Sequence, residues 1–260
     1  MKRFRVRLFP SFFAGLLFYF SASLSLFAAS DKKVYDHGGI VRGNSLQKKV
    51  CLVFTAASWA DGASVIIPTL KEKRVKGGFF FTGQFYGRFP DVVRQLVREG
   101  HYVGSHGYGH LLYCPWENRD SLLVSKEEFQ GDMLKSYELM NRLGIPKRRA
   151  KYFIPPYEYF NDSISKWAKS IGLQVINFTP GAGTNADYTI PSMKNYRSSE
   201  AIYEKVLDYE EKNTLNGHFL LIHFGTHPER TDKFYRLLPK LIDELRNRGY
   251  KFVSIPEMAR

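Results

Sequence analysis

Cysteine is almost missing from this sequence: Cys51 and Cys114 are the only two in 260 residues. A pair is too few to staple a small scaffold by disulfides. Whether the two pair with each other stays open, because an oxidising compartment permits a disulfide while Cys51 sits in an apolar segment that suits a buried free thiol. No cysteine closely follows the apolar N-terminal stretch, which argues against a bacterial lipoprotein anchor. Internal repeats and low-complexity runs are absent too. Hydrophobic residues make up 44% and charged residues 24%, ordinary values for a soluble globular protein that leave little room for disorder. Histidine is scarce, at seven residues. Acid is outnumbered by base, giving a net charge of +13. No nucleic-acid-binding motif accompanies that charge, so nucleic acid is not an expected partner. An acidic polymer or an anionic envelope surface is the partner the charge favours, if it has one beyond solvent.

The first thirty residues do not read as part of a fold. "MKRFRVR" is a positive n-region, "LFPSFFAGLLFYFSASLSLF" is apolar, and "AAS" at 28–30 offers a small-residue cleavage site. That is the layout of a secretory signal peptide. The apolar run is also about the ~20 residues that span a bilayer, so a retained anchor is the alternative. Pro10, the serines and the small-residue exit favour cleavage, and with it no stable membrane insertion. Lys2, Arg3, Arg5 and Arg7 account for four of the excess cations, which leaves +9 on residues 31–260. The expected organisation is a signal peptide at 1–30, a polar lead-in at 31–48 and one barrel domain at 49–260. The expected location is periplasmic or extracellular.

Beyond the lead-in the chain alternates between two patterns. Short apolar runs occur at 50–56, 79–83, 102–106, 152–156, 173–179, 219–225 and 251–255. Near-continuous apolarity over such lengths suits strands buried on both faces, as in parallel sheets. Amphipathic segments lie between them. "SKEEFQGDMLKSYELMNRLG" opens with Ser125 and Glu128 at capping-box spacing and stops at Gly144. "NDSISKWAKSIG" sets Ile164, Trp167, Ala168 and Ile171 on one stripe, and "LPKLIDELRNRG" does the same with Leu238, Leu241, Ile242 and Leu245. About seven β-α units without a linker imply an α/β fold, either an open parallel sheet or a barrel. In a barrel, working residues gather at the C-terminal ends of the strands.

The reactive residue types fall there. Ser58, Trp59 and Asp61 follow the first run. His106 ends the third, with His110 beyond it in "GSHGYGH". "IPPYEYFN" follows the fourth, with Tyr157 and Glu158. Asn185 and Asp187 follow the fifth, and His223 lies in the sixth, ahead of "GTHPERTDKFY". Two imidazoles four residues apart can face one metal ion, and Gly107 and Gly109 leave room for the chain to curl around it. The double proline fixes the loop and removes two amide donors, leaving the amide of Tyr157 as an oxyanion contact. Trp59 and Trp116 offer flat faces for sugar rings, or core packing. Arg230 is a candidate for a sugar hydroxyl or carboxylate, or a partner for Asp232.

Together these pieces resemble the polysaccharide deacetylases, carbohydrate esterase family four, over roughly residues 45–256. "GSHGYGH" resembles the family's metal-binding histidine motif, "IPPYEY" its R-x-P-Y segment, and "LLIHFG" its final leucine–x–histidine. "VFTAASWADG" occupies the place of T-F-D-D-G. The resemblance implies a distorted (β/α) barrel of about seven parallel strands in a single domain. It also implies an exported hydrolase that removes N- or O-linked acetyl groups from a polysaccharide with a divalent metal, commonly zinc. His106 and His110 would be metal ligands, Tyr157 would supply the oxyanion amide, and His223 would be the general acid.

The departures are at the first and third motifs. The two aspartates of T-F-D-D-G fall at Ala57 and Ser58, and the arginine of R-x-P-Y falls at Ile154. Two readings follow. In one, a longer loop brings Asp61 in as the third metal ligand rather than as a helix N-cap beside Gly62, and Asp187 or Glu158 takes over base work, the alternatives being a turn residue for Asp187 and a structural or solvent-facing place for Glu158. In the other, the site is degenerate and the chain is a carbohydrate-binding protein. A different C–N hydrolase acting on a small amide is a third reading.

Overall fold

All seven apolar runs form strands, and two further strands precede them. The computed structural model describes residues 33–260 and Met1, so the expected signal peptide lies outside the described residues. The strands are β1 (Val34–Asp36), β2 (Gly39–Arg42), β3 (Lys49–Ala56), β4 (Gly78–Phe81), β5 (Tyr102–Ser105), β6 (Tyr152–Phe153), β7 (Gln174–Val175), β8 (His218–His223) and β9 (Lys251–Phe252). The helices between them are α1 (Ala63–Glu72), α2 (Gly83–Arg88), α3 (Pro90–Arg98), α4 (Lys126–Arg142), α5 (Asp162–Ser170), α6 (Ser199–Asn213), α7 (Leu238–Asn247) and α8 (Ile255–Met258). Among the described residues, no helix is long and apolar enough to cross a membrane.

The sheet runs β1-β2-β8-β3-β4-β5-β6-β7, parallel from β8 through β7. It has two faces and both are buried, which is why its strands read as unbroken apolar runs. Side chains of alternate residues take opposite faces. Cys51 and Val53 of β3 join Phe80, Ile154, Ile176 and Phe219 inside the curl. Val50, Leu52 and Phe54 face the helices and join the larger core with Phe79, Phe129 and Leu241. The same alternation carries inward from Phe219 through Leu221 to His223. It also carries inward from Tyr102 through Gly104 to His106. The fold thus aims both histidines at the inner rim.

Two expectations need correction. The lead-in is part of the fold: β1 and β2 form a hairpin whose turn residues, His37 and Gly38, have φ of 42° and 76°, the type I′ pattern. β2 then closes the curl. It pairs with β8 on one side, and on the other Ile40 bridges Ile176 while Asn177 N–H donates to the Ile40 carbonyl at 2.9 Å. The last strand, β9, is not a stave of the barrel. It pairs with the first residues of β3 and lies off the main path. Helix α2 was also not expected; Thr82 caps it by accepting from Phe85 N–H. The capping box of Ser125 and Glu128 forms as expected. Cys51 and Cys114 are both free and buried.

Because Ile40 is 4% exposed and plugs the inner core, Ile40→Ala is expected to lower unfolding free energy by about 2–5 kcal/mol. Denaturant titration checks this. A change near zero would mean that the lead-in lies outside the cooperative fold.

Candidate active site

The small residues of "GSHGYGH" have specific causes. Gly104 faces the inner core, where a Cβ would stand 2.6 Å from the Phe80 ring and 2.7 Å from the Tyr152 carbonyl. Gly107 turns the chain with φ of 75°. The loop then wraps a carboxylate: Asp132 of α4 accepts from Tyr108 N–H and Gly109 N–H, each at 2.7 Å. A Cβ on Gly107 would come within 3.0 Å of that carboxylate. Ser105 adds a further anchor, its hydroxyl accepting from Gly107 N–H and meeting the Ser136 hydroxyl at 2.8 Å. Nothing in the local sequence points to Asp132. The only signal was an acid on the buried stripe of an amphipathic helix.

His106 is buried, and its Nδ1 meets the Ile154 carbonyl at 2.9 Å. A carbonyl only accepts, so Nδ1 carries the proton and Nε2 is left bare. Nε2 faces the Glu158 carboxylate at 3.8 Å, beyond hydrogen-bond range. The His110 ring lies 5.0 Å from that of His106 and 4.4 Å from that of Tyr157. Burial pushes His106 well below the ordinary imidazole range, and the neighbouring His110 adds to it. Burial likewise lowers His110 to about 4. Both rings are therefore neutral at neutral pH and have a lone pair to offer.

His223 behaves oppositely. Its Nδ1 meets Asp187 Oδ1 at 2.6 Å, and its own amide donates to Asp187 Oδ2 at 2.9 Å. Burial works against the imidazolium, but the Asp187 charge and hydrogen bond outweigh it and Glu158 adds to them, so its pKa rises. Asp187 is 1% exposed, and each of its oxygens is taken by His223. The base role expected for Asp187 gives way to another: buried at 1% exposure, it orients His223 and favours its charged form, with both oxygens turned to the ring and amide of His223 rather than to the open rim.

The loop after β6 is strained. Tyr157 and Glu158 have φ of 59° and 55°, left-handed values that cost a non-glycine residue on the order of 1–3 kcal/mol each. His110, across the rim, has φ of 55°. Three of the six left-handed non-glycine residues among the described residues thus meet here. The turn leaves the amide of Tyr157 without a hydrogen-bond partner among the described residues, while those of Glu158 and Tyr159 are bonded. Glu158 is not solvent-facing. Its side chain is 15% exposed and turned into the rim. Burial raises its pKa to about 7, with His223 lowering it and Asp187 raising it.

The remaining candidates separate from this group. Asp61 is not beside the histidine pair. Its Oδ1 accepts from Thr226 N–H at 3.0 Å, and its Oδ2 accepts from the Tyr235 hydroxyl at 2.8 Å and lies 2.9 Å from Lys233 Nζ. A carboxylate so committed clamps the loop after β8 and is not offered to a metal. Arg230 is completely buried and donates to the carbonyls of Thr189 at 2.6 Å and Arg197 at 3.0 Å, with Asp232 only at 3.9 Å. It is a loop clasp, out of reach of a sugar. Trp116 is exposed beside the site, its ring 5.9 Å from Tyr157 and 4.8 Å from Tyr159. Trp59 is exposed on the opposite loop, edge-on to His227 at 5.3 Å.

The residues that gather are therefore His106, His110, Tyr157, Glu158, Asp187 and His223. Among the described residues no three His, Cys, Asp or Glu side chains stand close enough, as placed, to hold a metal ion, so the expected Asp61–His106–His110 set does not form. The donor chemistry still fits a divalent metal. His106 has the tautomer that a backbone carbonyl fixes in metal-ligating imidazoles, and His110 is neutral beside it, so the pair offers nitrogen donors of the type a divalent metal takes.

A family model described as polysaccharide deacetylase matches residues 42–176, a span that holds His106, His110 and Tyr157 and ends before Asp187. The chain is 26% identical over 214 residues to a peptidoglycan-N-acetylglucosamine deacetylase of Bacillus cereus, covering 81% of this chain and 68% of that protein. It is 23% identical over 216 residues to the peptidoglycan-N-acetylmuramic acid deacetylase PdaA of Bacillus subtilis, covering 83% and 73%. A solved structure described as a CE4 family pseudoenzyme from Bacillus anthracis has the same fold. Its TM-score is 0.68 at 20% identity, over 87% of this chain and 70% of that one.

Asp132→Ala removes two charge-assisted bonds from the histidine loop. It is expected to cost about 2–4 kcal/mol and to abolish hydrogen-exchange protection at Tyr108 and Gly109. Protection unchanged at both amides would mean that the loop holds itself.

Proposed function

The chain belongs to the polysaccharide deacetylase family, and we propose that it is an exported hydrolase removing N-linked acetyl groups from a peptidoglycan-type glycan in the periplasm or outside the cell. One observation carries the reading: a hydrogen-bonded His223–Asp187 pair that favours the imidazolium, two imidazoles lowered by burial and the unpartnered Tyr157 amide meet on one rim. An abandoned site has no reason to keep acid, ligands and oxyanion donor together. The substrate class rests on the named activities of the relatives. The basic residues of the folded part and the exposed Trp116, Tyr157 and Tyr188 faces suit a long anionic glycan.

His106 and His110 would hold a divalent metal, zinc being the natural match to neutral imidazoles. Such a metal supplies Lewis acidity, which polarises a carbonyl and acidifies a water. The chain's own groups hold the developing charge and protonate the leaving group. The Tyr157 amide donates to the carbonyl oxygen as charge develops on it. His223, protonated on both nitrogens and held through Nδ1 by Asp187, hands the Nε2 proton to the departing sugar amine. Asp187 then stabilises the ring's orientation and tautomer without itself accepting a proton.

A second reading, a sugar-binding protein without hydrolysis, is favoured by Ala57, Ser58 and the buried Ile154 in place of the family's charged residues, and by a structural neighbour described as a pseudoenzyme. The two readings part on acetate release from N-acetylated peptidoglycan fragments. Hydrolysis predicts release that a chelator stops and zinc restores, and that His106→Ala with His110→Ala abolishes. Glycan binding with no acetate would leave the second reading.

The pH profile carries its own sign. A raised His223 pKa means that the working imidazolium is present below it and lost as pH rises through it, so activity falls on the alkaline side. Asp187→Asn removes the raising charge. It should move that alkaline limb to lower pH and cut kcat by about 10²–10⁴-fold. An unmoved limb would detach His223 from the acid role.

A further inference from the structure

We infer that the cleft between the 183–189 turn and α6 is a subsite for a carboxylate of the glycan, read by Arg197 and Lys205 beside His223. The inference rests on the deacetylase reading and deepens it, because it names a charge that the substrate carries near the reacting sugar. Three observations carry it. The first is place. The cleft holds about 260 Å³, and Tyr188 forms one of its walls. The Tyr188 ring also lies 5.8 Å from that of His223, and Tyr188 directly follows Asp187, the partner of His223. A sugar laid on the exposed Tyr188 face has the rim on one side and the cleft on the other.

The second observation is charge. Arg197 and Lys205 line the cleft, and no acid does. Neither has an ion pair among the described residues. The acids nearby are engaged elsewhere. Asp232 Oδ2 accepts from Ser199 N–H at 2.6 Å and from the Tyr196 hydroxyl at 3.2 Å, and Glu200 meets Lys240 at 3.4 Å. Arg197 gives one N–H to the Tyr196 carbonyl at 2.9 Å and keeps the rest of its fork, the shape that suits a carboxylate. The third is preorganisation. The Arg197 amide donates to the Thr189 hydroxyl at 3.3 Å, and its carbonyl accepts from the buried Arg230 at 3.0 Å. Lys205 lies along Gly183, where a Cβ would stand 3.0 Å from its Cδ and Cε, so the absent side chain gives the lysine stem its place. Asn195 Nδ2–H donates to the Tyr188 hydroxyl at 3.3 Å and ties that wall to the loop carrying Arg197. Arg230 thus shapes the subsite from behind without touching the sugar.

The test titrates the full protein calorimetrically with two glycans of equal length. One is a peptide-free strand bearing lactyl carboxylates, and the other is an uncharged N-acetylglucosamine oligomer. Wild type is expected to bind the carboxylated strand about tenfold tighter at low salt, the size expected of two exposed charge contacts, and to lose most of that preference at high salt. Arg197→Gln with Lys205→Gln should bring the ratio of affinities to about one. Lys212→Gln, on the same helix but paired with Asp208, should leave the ratio unchanged. Amidating the strand's carboxyls should abolish the preference in wild type; that arm needs no variant, so loss of fold cannot mimic it. Equal affinity of wild type for the two glycans, weak or strong, or a preference that survives the double variant, would overturn the inference. Acetate release separates this claim from the reading beneath it. Release without a carboxylate preference sinks the subsite and keeps the hydrolase. A preference lost in the double variant, without release, keeps the subsite and sinks the hydrolase.

Discussion

The 2.6 Å contact between His223 and Asp187 is the constraint on which the rest of the rim depends. It consumes both oxygens of the most deeply buried acid there, since Oδ2 is taken by the His223 amide. It also favours the charged form of the His223 ring, raising its pKa against burial. Burial lowers the pKa of His106 and His110, which no carboxylate hydrogen-bonds. One rim thus shifts its histidines in opposite directions, and the difference comes from whether a carboxylate touches the ring. The proposed acid and the proposed ligands are thus set apart by environment rather than by residue type.

That arrangement is possible because the strands are buried on both faces. Inward and outward residues alternate along β3, β5 and β8, so the inner rim receives every second side chain. The outer faces meanwhile hold the helices. α4 works as a brace as well as packing, since Asp132 reaches from it to the histidine loop. The clamp of Asp61 on Thr226, Lys233 and Tyr235 performs a similar task for the loop after β8, and Arg230 does so by binding carbonyls. Three charged residues near the rim are therefore framework, and the strained residues His110, Tyr157 and Glu158 line it beside His106 and His223.

Much of this was legible in the sequence. The strand positions followed from apolar runs, and α4 and α5 from their caps and stripes. The convergence of His106, His110, Tyr157 and His223 followed from strand ends. What was not legible depends on long-range partners. Asp61 beside Gly62 looks available in one dimension, and only the fold brings Thr226 and Tyr235 to it. Arg230 looks exposed in a polar loop, and only the fold buries it. Glu158 looked idle because φ is invisible in a single sequence. The hairpin of β1 and β2 hid in a polar stretch because edge strands need no apolar run, yet Ile40 closes the barrel. β9 failed as a stave for the converse reason: an apolar run names a buried strand without naming its neighbours.

The central claim is that the histidine pair of the rim offers two neutral nitrogens to a divalent metal. Anomalous diffraction at the zinc edge, from crystals of the protein grown with zinc, tests it most directly. The account predicts one peak beside His106 Nε2 and a ring nitrogen of His110. A peak at Asp61, or none beside the histidine pair, would contradict it.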